Sequence, residues 1–388
     1  MSRLEDVYKL EVAACFDELA AAKARLARWT AELRSYGVKL SFQFTFPPKS
    51  SCSAELTAVE KAANDARREV GVRSCRKLRR GPTGGYCLRK DKPNRGGNDC
   101  LSPKLAAALA SHAFVGTSVT VLDLGAGIGQ YGTFFRSHAA ASHINYIALD
   151  GAENIEESTK GLVRFADLTD GLPRDVRALP RVHWAMSLEV AEHVPRSGEP
   201  RFLHALTSIP TDGVILSWAT PGQAGGGGGA RHVNCQWASY VNCALGILGY
   251  EYDATLVAQL GKQKRNSTFP CHWLRFNIMA FRRRVTKNVA HQRLRAKDVQ
   301  RLRDLLGGPV SSPEFESLYL NVTATRCEHA DGLRACGCIR NRTANPPQLI
   351  CPTCTEDGPL TARRGKSCAA CDECARLHKP RWHERWYE

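Results

Sequence analysis

The sequence predicts an α/β protein: a doubly wound, mostly parallel seven-stranded sheet, preceded by a helical extension and followed by a Cys-rich module. Three observations predict it. Between residues 119 and 219 five short apolar runs alternate with helical or turn segments, which implies crossover units and a parallel sheet. Two later runs, 250–258 and 274–283, follow without a long helix between them and suggest an antiparallel pair at one edge. Residues 3–35 repeat apolar side chains at helical spacing, and eight of the 16 cysteines crowd into 327–374.

Taken in order, Leu4, Val7, Tyr8, Leu10 and Val12 open the first helix, and Phe16, Leu19, Leu26 and Leu33 continue its apolar face until Gly37. FTFPPKSSCS (44–53) reads as a linker with Pro-Pro as its stop signal, and a second helix covers 54–70. Residues 73–100 are basic, rich in Gly and Pro, and read as irregular; a short helix from Pro103 to Ala113 leads into the sheet. The strands are VTVLDL (119–124), INYIAL (144–149), LVRFA (162–166), VHWAMSL (182–188) and GVILSWA (213–219), then the two late runs. A helix over 235–248 ends at Gly249. Four regions result: a helical, basic extension over 1–100, the α/β domain over 101–285, a basic helical linker over 286–320 and the Cys-rich module over 321–388.

Composition narrows the class. No apolar run reaches the roughly 18 residues of a membrane span. MSRLEDVYKLEV at the start is charged and helical and has no apolar signal core. The expectation is a reducing, cytoplasmic compartment in which scattered cysteines act as small buried hydrophobes. Sequons at Asn266, Asn321 and Asn341 decide nothing against that. The net charge of +16 is concentrated in two flanks: 73–95 and 282–303 each carry nine Lys/Arg and one Asp. Such flanks attract polyanions, nucleic acid above all, or are solvated surface.

In a parallel sheet ligands bind at the carboxyl ends of the strands. The first four strands end in Gly125, Asp150, Asp167 and Glu189. VLDLGAGIGQYG (121–132) contains G-x-G-x-x-G, the dinucleotide fingerprint, and Asp150 lies about 20 residues on, where a ribose-binding acid belongs. Read from Asp123, the same stretch is D-x-G-x-G-x-G, in which the acid braces the loop. A carboxylate at Asp167, in FADLTDGLP, can accept from an adenine amino group, and SLEVAEHVP puts a Glu-His pair at the fourth strand end. The bland readings of these acids are turn residues and helix caps.

With IALDGAENIEE, these motifs in this order resemble the class I methyltransferases that use S-adenosylmethionine (SAM), over roughly 105–284. The resemblance implies SAM as cofactor, with the loop from Gly125 through Ala126 and Gly127 to Gly129 against its methionine and ribose. It implies Asp123 as brace, Asp150 on the ribose hydroxyls, and Asp167 with Leu168 at the adenine.

Glu189, Glu192 and His193 form E-x-x-E-H. On one helical turn these positions share a side, so all three would converge on the site mouth and act as catalytic groups. With His232 they would make a divalent-metal site. This resembles small-RNA 3′-end 2′-O-methyltransferases; ubiquinone-pathway O-methyltransferases also carry a Glu-His pair here. Metal, general base and a structural helix start, with acids favoured by the dipole, are all open. GQAGGGGGARH (222–232) reads as a mobile flap carrying His232 or as a low-complexity insertion, with Trp218 and Trp237 beside it as pocket wall or core.

In the tail, Cys351-x2-Cys354 is followed after 13 residues by Cys368-x2-Cys371-x2-Cys374, with Cys327, Cys336 and Cys338 before it. Paired C-x2-C knuckles supply thiolates for tetrahedral zinc; disulfides and a reduced, disordered tail are the alternatives. The functional expectation is a SAM-dependent methyltransferase acting on an oxygen, in a small molecule or an RNA hydroxyl. The rival is a non-catalytic nucleic-acid-binding protein on the same scaffold.

Overall fold

The computed structural model describes residues 2–38, 51–78, 87–88, 100–220, 232–261, 274–284, 296–306, 313–330, 339–341 and 348–350. Two long helices come first, α1 (Ser2–Ser35) and α2 (Cys52–Leu78). They run parallel. Cys15 is bonded to Cys52, Leu19 packs with Leu56, and further along Trp29 and Leu33 pack with Ala66 and Val70. The second helix extends through Leu78, past the end predicted at 70. Arg73, Arg76, Lys77 and Leu78 along this stretch favour a helix.

Helix α3 (Pro103–Ala108) starts at Ser102, whose Oγ accepts from the Leu105 amide at 3.1 Å, with Pro103 at the position where a missing N–H costs nothing. The sheet then builds from β1 (Val119–Leu124), β2 (Ile144–Asp150), β3 (Arg164–Phe165), β4 (Val182–Ser187) and β5 (Pro210–Ser217). Short β6 (Tyr250–Tyr252) and β7 (Ile278–Arg283) complete it. The order is β3-β2-β1-β4-β5-β7-β6, parallel as far as β5, with β7 antiparallel to β5 and to β6. The doubly wound, seven-stranded expectation is met, antiparallel edge included.

Alternating strand residues feed two cores. Val119 and Val121 face α3, α4 (Gln130–Ser137) and the helix Ala254–Gly261, while Leu122 and Leu124 face the helices Glu199–Thr207 and Ala238–Ile247. We number these last three in chain order as α5 (Glu199–Thr207), α6 (Ala238–Ile247) and α7 (Ala254–Gly261). Two expectations fail locally, the first being the strand predicted over 274–283, which is helical over Leu274–Asn277 and a strand only from Ile278. Residues 254–258 are helix, not strand, because Asp253 caps α7, its Oδ1 accepting from the Leu256 amide at 2.8 Å.

Helices α8 (Ala296–Leu306) and α9 (Pro313–Ala330) lie on the α5–α6 face, where Leu302, Phe315, Tyr319 and Val322 enter the main core. A buried carboxylate organises this attachment. Glu199 is fully buried; its Oε1 accepts from Tyr240 (2.5 Å), Tyr319 (2.8 Å) and Arg196, and its Oε2 from the Asn234 amide group at 2.8 Å. A small antiparallel pair, β8 (Ile339–Asn341) and β9 (Gln348–Ile350), follows.

The cysteine expectation needs correction. Cys15–Cys52, Cys75–Cys87 and Cys243–Cys327 are disulfides, so these scattered cysteines are not simply buried hydrophobes, and Cys327 is paired outside the tail. Such pairs are compatible with an oxidising compartment and remove the argument for a reducing one. Cys351, Cys354, Cys368, Cys371 and Cys374, the candidate zinc ligands, lie outside the described residues. No helix among the described residues is long and apolar enough to cross a membrane.

Two outcomes are expected. Glu199→Ala leaves two buried tyrosine hydroxyls and the Asn234 amide without their acceptor and lowers stability by about 3 kcal/mol or more, read by denaturant unfolding. Peptide mapping after alkylation without reductant recovers Cys15–Cys52, Cys75–Cys87 and Cys243–Cys327 as linked peptides.

Candidate functional site

The carboxyl edge of the parallel strands gathers the residues that the sequence singles out. After β1 the chain turns through Gly125, Gly127 and Gly129, all at positive φ (84°, 56° and 78°). A Cβ on Gly125 would lie 2.2 Å from Val190, so only glycine lets the loop pass beneath that side chain. The loop hangs on β2: the Gly125 and Ala126 amides donate to the Leu149 carbonyl at 2.8 and 3.0 Å, and the Gly127 amide donates to Asp150 Oδ2 at 2.8 Å.

Asp150 therefore clasps the loop, and its Oδ1 accepts from the Ala152 amide at 2.8 Å. Burial raises its pKa to about 6 against the pull of these two amides. Each carboxylate oxygen has two acceptor positions, which leaves the ribose assignment chemically compatible with this clasp. Asp123, expected as the brace, instead accepts from the Tyr146 hydroxyl of β2. Burial, with a contribution from the neighbouring Asp150 charge, raises its pKa to about 7.

Asp167 is held on both sides. Oδ1 accepts from the Thr169 amide (3.0 Å) and hydroxyl (2.7 Å), and Oδ2 accepts from Arg67 Nε at 2.5 Å. Burial alone would raise its pKa, but the Arg67 charge and these hydrogen bonds outweigh it and hold it below the ordinary value. Leu168 is buried in the main core. Arg67 comes from α2 and has no signal in the sequence: it is one arginine among many on a basic helix.

After β4 the expected helical turn does not form. Glu189 takes a left-handed φ of 60°, and only Ala191–His193 make a single 3-10 turn. Glu189 is instead bonded to Ser217 at the end of β5. Its amide donates to Ser217 Oγ at 2.7 Å, and that hydroxyl donates to Glu189 Oε1 at 2.8 Å. The convergence predicted for Glu189 is corrected: three residues meet without it. Ligand atoms of Glu192, His193 and His232 lie within 4.8 Å of one another, with the two imidazoles 4.9 Å apart between centroids.

Glu192 is the unusual member. It is fully buried, and neither carboxylate oxygen has a hydrogen-bond partner of good geometry among the described residues, although the Glu192 and Ala219 amides lie nearby. Burial, reinforced by the Glu189 charge, raises its pKa well above the ordinary value. The loop bearing His232 is fixed from behind. The Val233 and Asn234 amides donate to the Glu192 carbonyl at 2.8 and 3.0 Å, and Trp218 Nε1 donates to the Asn234 carbonyl at 2.5 Å. Trp218 is thus core, Trp237 is half-buried at the start of α6, and the glycine run 225–229 lies outside the described residues. Asn234 and Glu199 were not foreseen; Asn234 stands two residues after His232, which is the only hint the chain offers.

No protein-family model and no curated protein matches the chain. Solved structures do resemble it in part. A magnesium protoporphyrin IX methyltransferase from Synechocystis PCC 6803, with bound SAM, is 16% identical with a TM-score of 0.31, covering 46% of this chain and 76% of its own. A methyltransferase in complex with the Trm112 methyltransferase activator of Haloferax volcanii is 15% identical (TM-score 0.34, 50% of this chain, 92% of its own). The small RNA methyltransferase HEN1 is 14% identical (TM-score 0.34, 50% of this chain, 26% of its own). At such identity the likeness concerns the fold.

The raised pKa of Asp123 has a testable sign. Between its ordinary value of 3.8 and about 7 the folded state keeps a proton that the unfolded state releases, so the stability Asp123 contributes falls as pH rises through that window. Asp123→Asn has no such loss. Its unfolding free energy relative to the parent rises from pH 4 to 7 and levels off above, as measured by denaturant titrations at pH 5 and pH 8.

Proposed function

We propose that this protein is a SAM-dependent methyltransferase that acts on a hydroxyl oxygen held at the Glu192–His193–His232 cluster. The reading is supported by the glycine cradle and Asp150 on one side of the β1–β4 crevice and the cluster on the other. SAM, when bound, supplies an electrophilic methyl group on sulfur. The chain's own task is positioning: the loop from Gly125 to Gly129 allows close approach of backbone, and alignment of donor and acceptor supplies much of the rate.

The observation that carries the acceptor half is the Glu192 carboxylate. A fully buried carboxylate without good partners is costly as an anion. It is stable here either protonated or beside a cation, and two imidazoles within 4.8 Å complete a donor set suited to a divalent metal. The residues therefore fit such an ion, with Glu192, His193 and His232 as its ligands, while Glu189 Oε1 accepts from Ser217. A divalent ion there would lower the pKa of an acceptor hydroxyl and orient its oxygen. The three side chains hold the acceptor end in place, and the fixed Asn234 loop keeps His232 on station. SAM bound at the glycine loop would supply the methyl group, and Glu192, His193 and His232 would hold the acceptor oxygen toward it.

The test has two arms. Calorimetry should show the intact protein binding S-adenosylhomocysteine, and labelled SAM with fractionated extract should label one fraction. Glu192→Gln should reduce transfer by about 100-fold or more while leaving S-adenosylhomocysteine affinity within about twofold, in line with loss of a group that activates the acceptor. If chelation and Glu192→Gln both leave transfer unchanged, the metal is abandoned. If no S-adenosylhomocysteine binds, the enzyme reading fails, and salt-sensitive binding of RNA alone would favour the scaffold alternative.

A further inference from the structure

The parallel helices α1 and α2 are not an independent appendage, because α2 packs against the loops after β2 and β3. Arg67 is 1% exposed, and its guanidinium bridges two loops of the α/β domain: Nε to Asp167 Oδ2 after β3 (2.5 Å), Nη1 to Glu153 Oε1 after β2 (3.2 Å). Its plane lies among aromatic rings, 5.3 Å from Trp29 of α1 and 5.8 Å from Phe165 of β3. Arg68 pairs with Glu156 and lies 4.6 Å over the same Phe165. The approach is close throughout, since a Cβ on Gly71 would overlap Glu153 at 2.0 Å. Beyond α2, the Cys75–Cys87 disulfide brings Leu88 against the cluster of Ala126, Ala152, Ile155 and Phe165, which includes the glycine loop itself.

A guanidinium this deeply buried persists only when its counter-charges stay with it. That argues for a permanent wall and against a removable plug. Without Arg67, Asp167 and Glu153 would stand as neighbouring buried carboxylates; burial raises the pKa of both, the Asp167 charge adds to the rise at Glu153, and Arg67 lowers both. Both loops leave the carboxyl ends of β2 and β3, the edge at which ligands bind in sheets of this kind.

We infer that α1 and α2 form the outer wall of the cofactor's adenosine end, and that Arg67 is a positioning residue that sets the Asp167 and Glu153 loops for it. This rests on the cofactor reading above. Hydrogen exchange on the intact protein, with and without S-adenosylhomocysteine, reads both ideas separately. The expected result is slowed exchange in peptides covering 61–75 of α2 together with 123–130 of the glycine loop. Calorimetry then compares Arg67→Ala with Arg67→Lys, using S-adenosylhomocysteine and 5′-methylthioadenosine, which keeps the adenosine and lacks the amino acid. Arg67→Ala should weaken both ligands by about the same factor, tenfold or more, and Arg67→Lys should restore part of it, as expected for a loss at the adenosine end. Protection of 123–130 without 61–75, or unchanged affinities in Arg67→Ala, overturns the inference and leaves the cofactor reading standing. Protection of neither segment overturns both.

Discussion

Burying carboxylates at one sheet edge is the constraint around which this molecule is arranged. Asp123, Asp150, Asp167 and Glu192 all sit at or just beyond the carboxyl ends of parallel strands, and a buried anion is costly unless something offsets it. The fold offers a different device to each. Asp123 takes a tyrosine hydroxyl, Asp150 two backbone amides and Asp167 an arginine with a threonine. Glu192 receives no comparable partner among the described residues. Three of the acids are thus satisfied within the fold, and Glu192 lies instead beside the imidazoles of His193 and His232.

A further buried acid, Glu199, does equivalent work where the late helices join the domain. Its four donors come from α6, α9, the turn before α5 and the His232 loop, so one side chain ties the late helices to the site. The Cys243–Cys327 bond closes the same joint covalently. Attachment of α9 and placement of His232 are therefore one event energetically, since both depend on the same carboxylate.

The parallel sheet was legible because fully buried strands read as apolar runs and their ends carried Gly or acids in register. The antiparallel edge was legible in outline, but Asp253 turned half of the predicted sixth strand into helix: capping is decided by one side chain, which apolar periodicity does not register. Glu192, His193 and His232 were visible as residue types that bind metals. Glu189 was misplaced because a helical turn was assumed where the backbone takes a left-handed step. Arg67, Asn234 and Glu199 were invisible for a common reason. Their roles depend on partners 100, 35 and 120 residues away, and such pairings are properties of the fold, not of any local pattern.

The α1–α2 wall also bears on where this protein can be cut. A boundary drawn at the start of the α/β domain looks natural, since every strand and the glycine loop lie beyond it. A chain trimmed there would keep Asp167 and Glu153 and lose the arginine between them, along with Trp29 and the Cys75–Cys87 tether. The trimmed piece would retain the recognisable motifs while the loops after β2 and β3 carried uncompensated charge. The working unit of this enzyme-like fold is thus longer than its most recognisable segment, and it begins in helices that resemble nothing but helices.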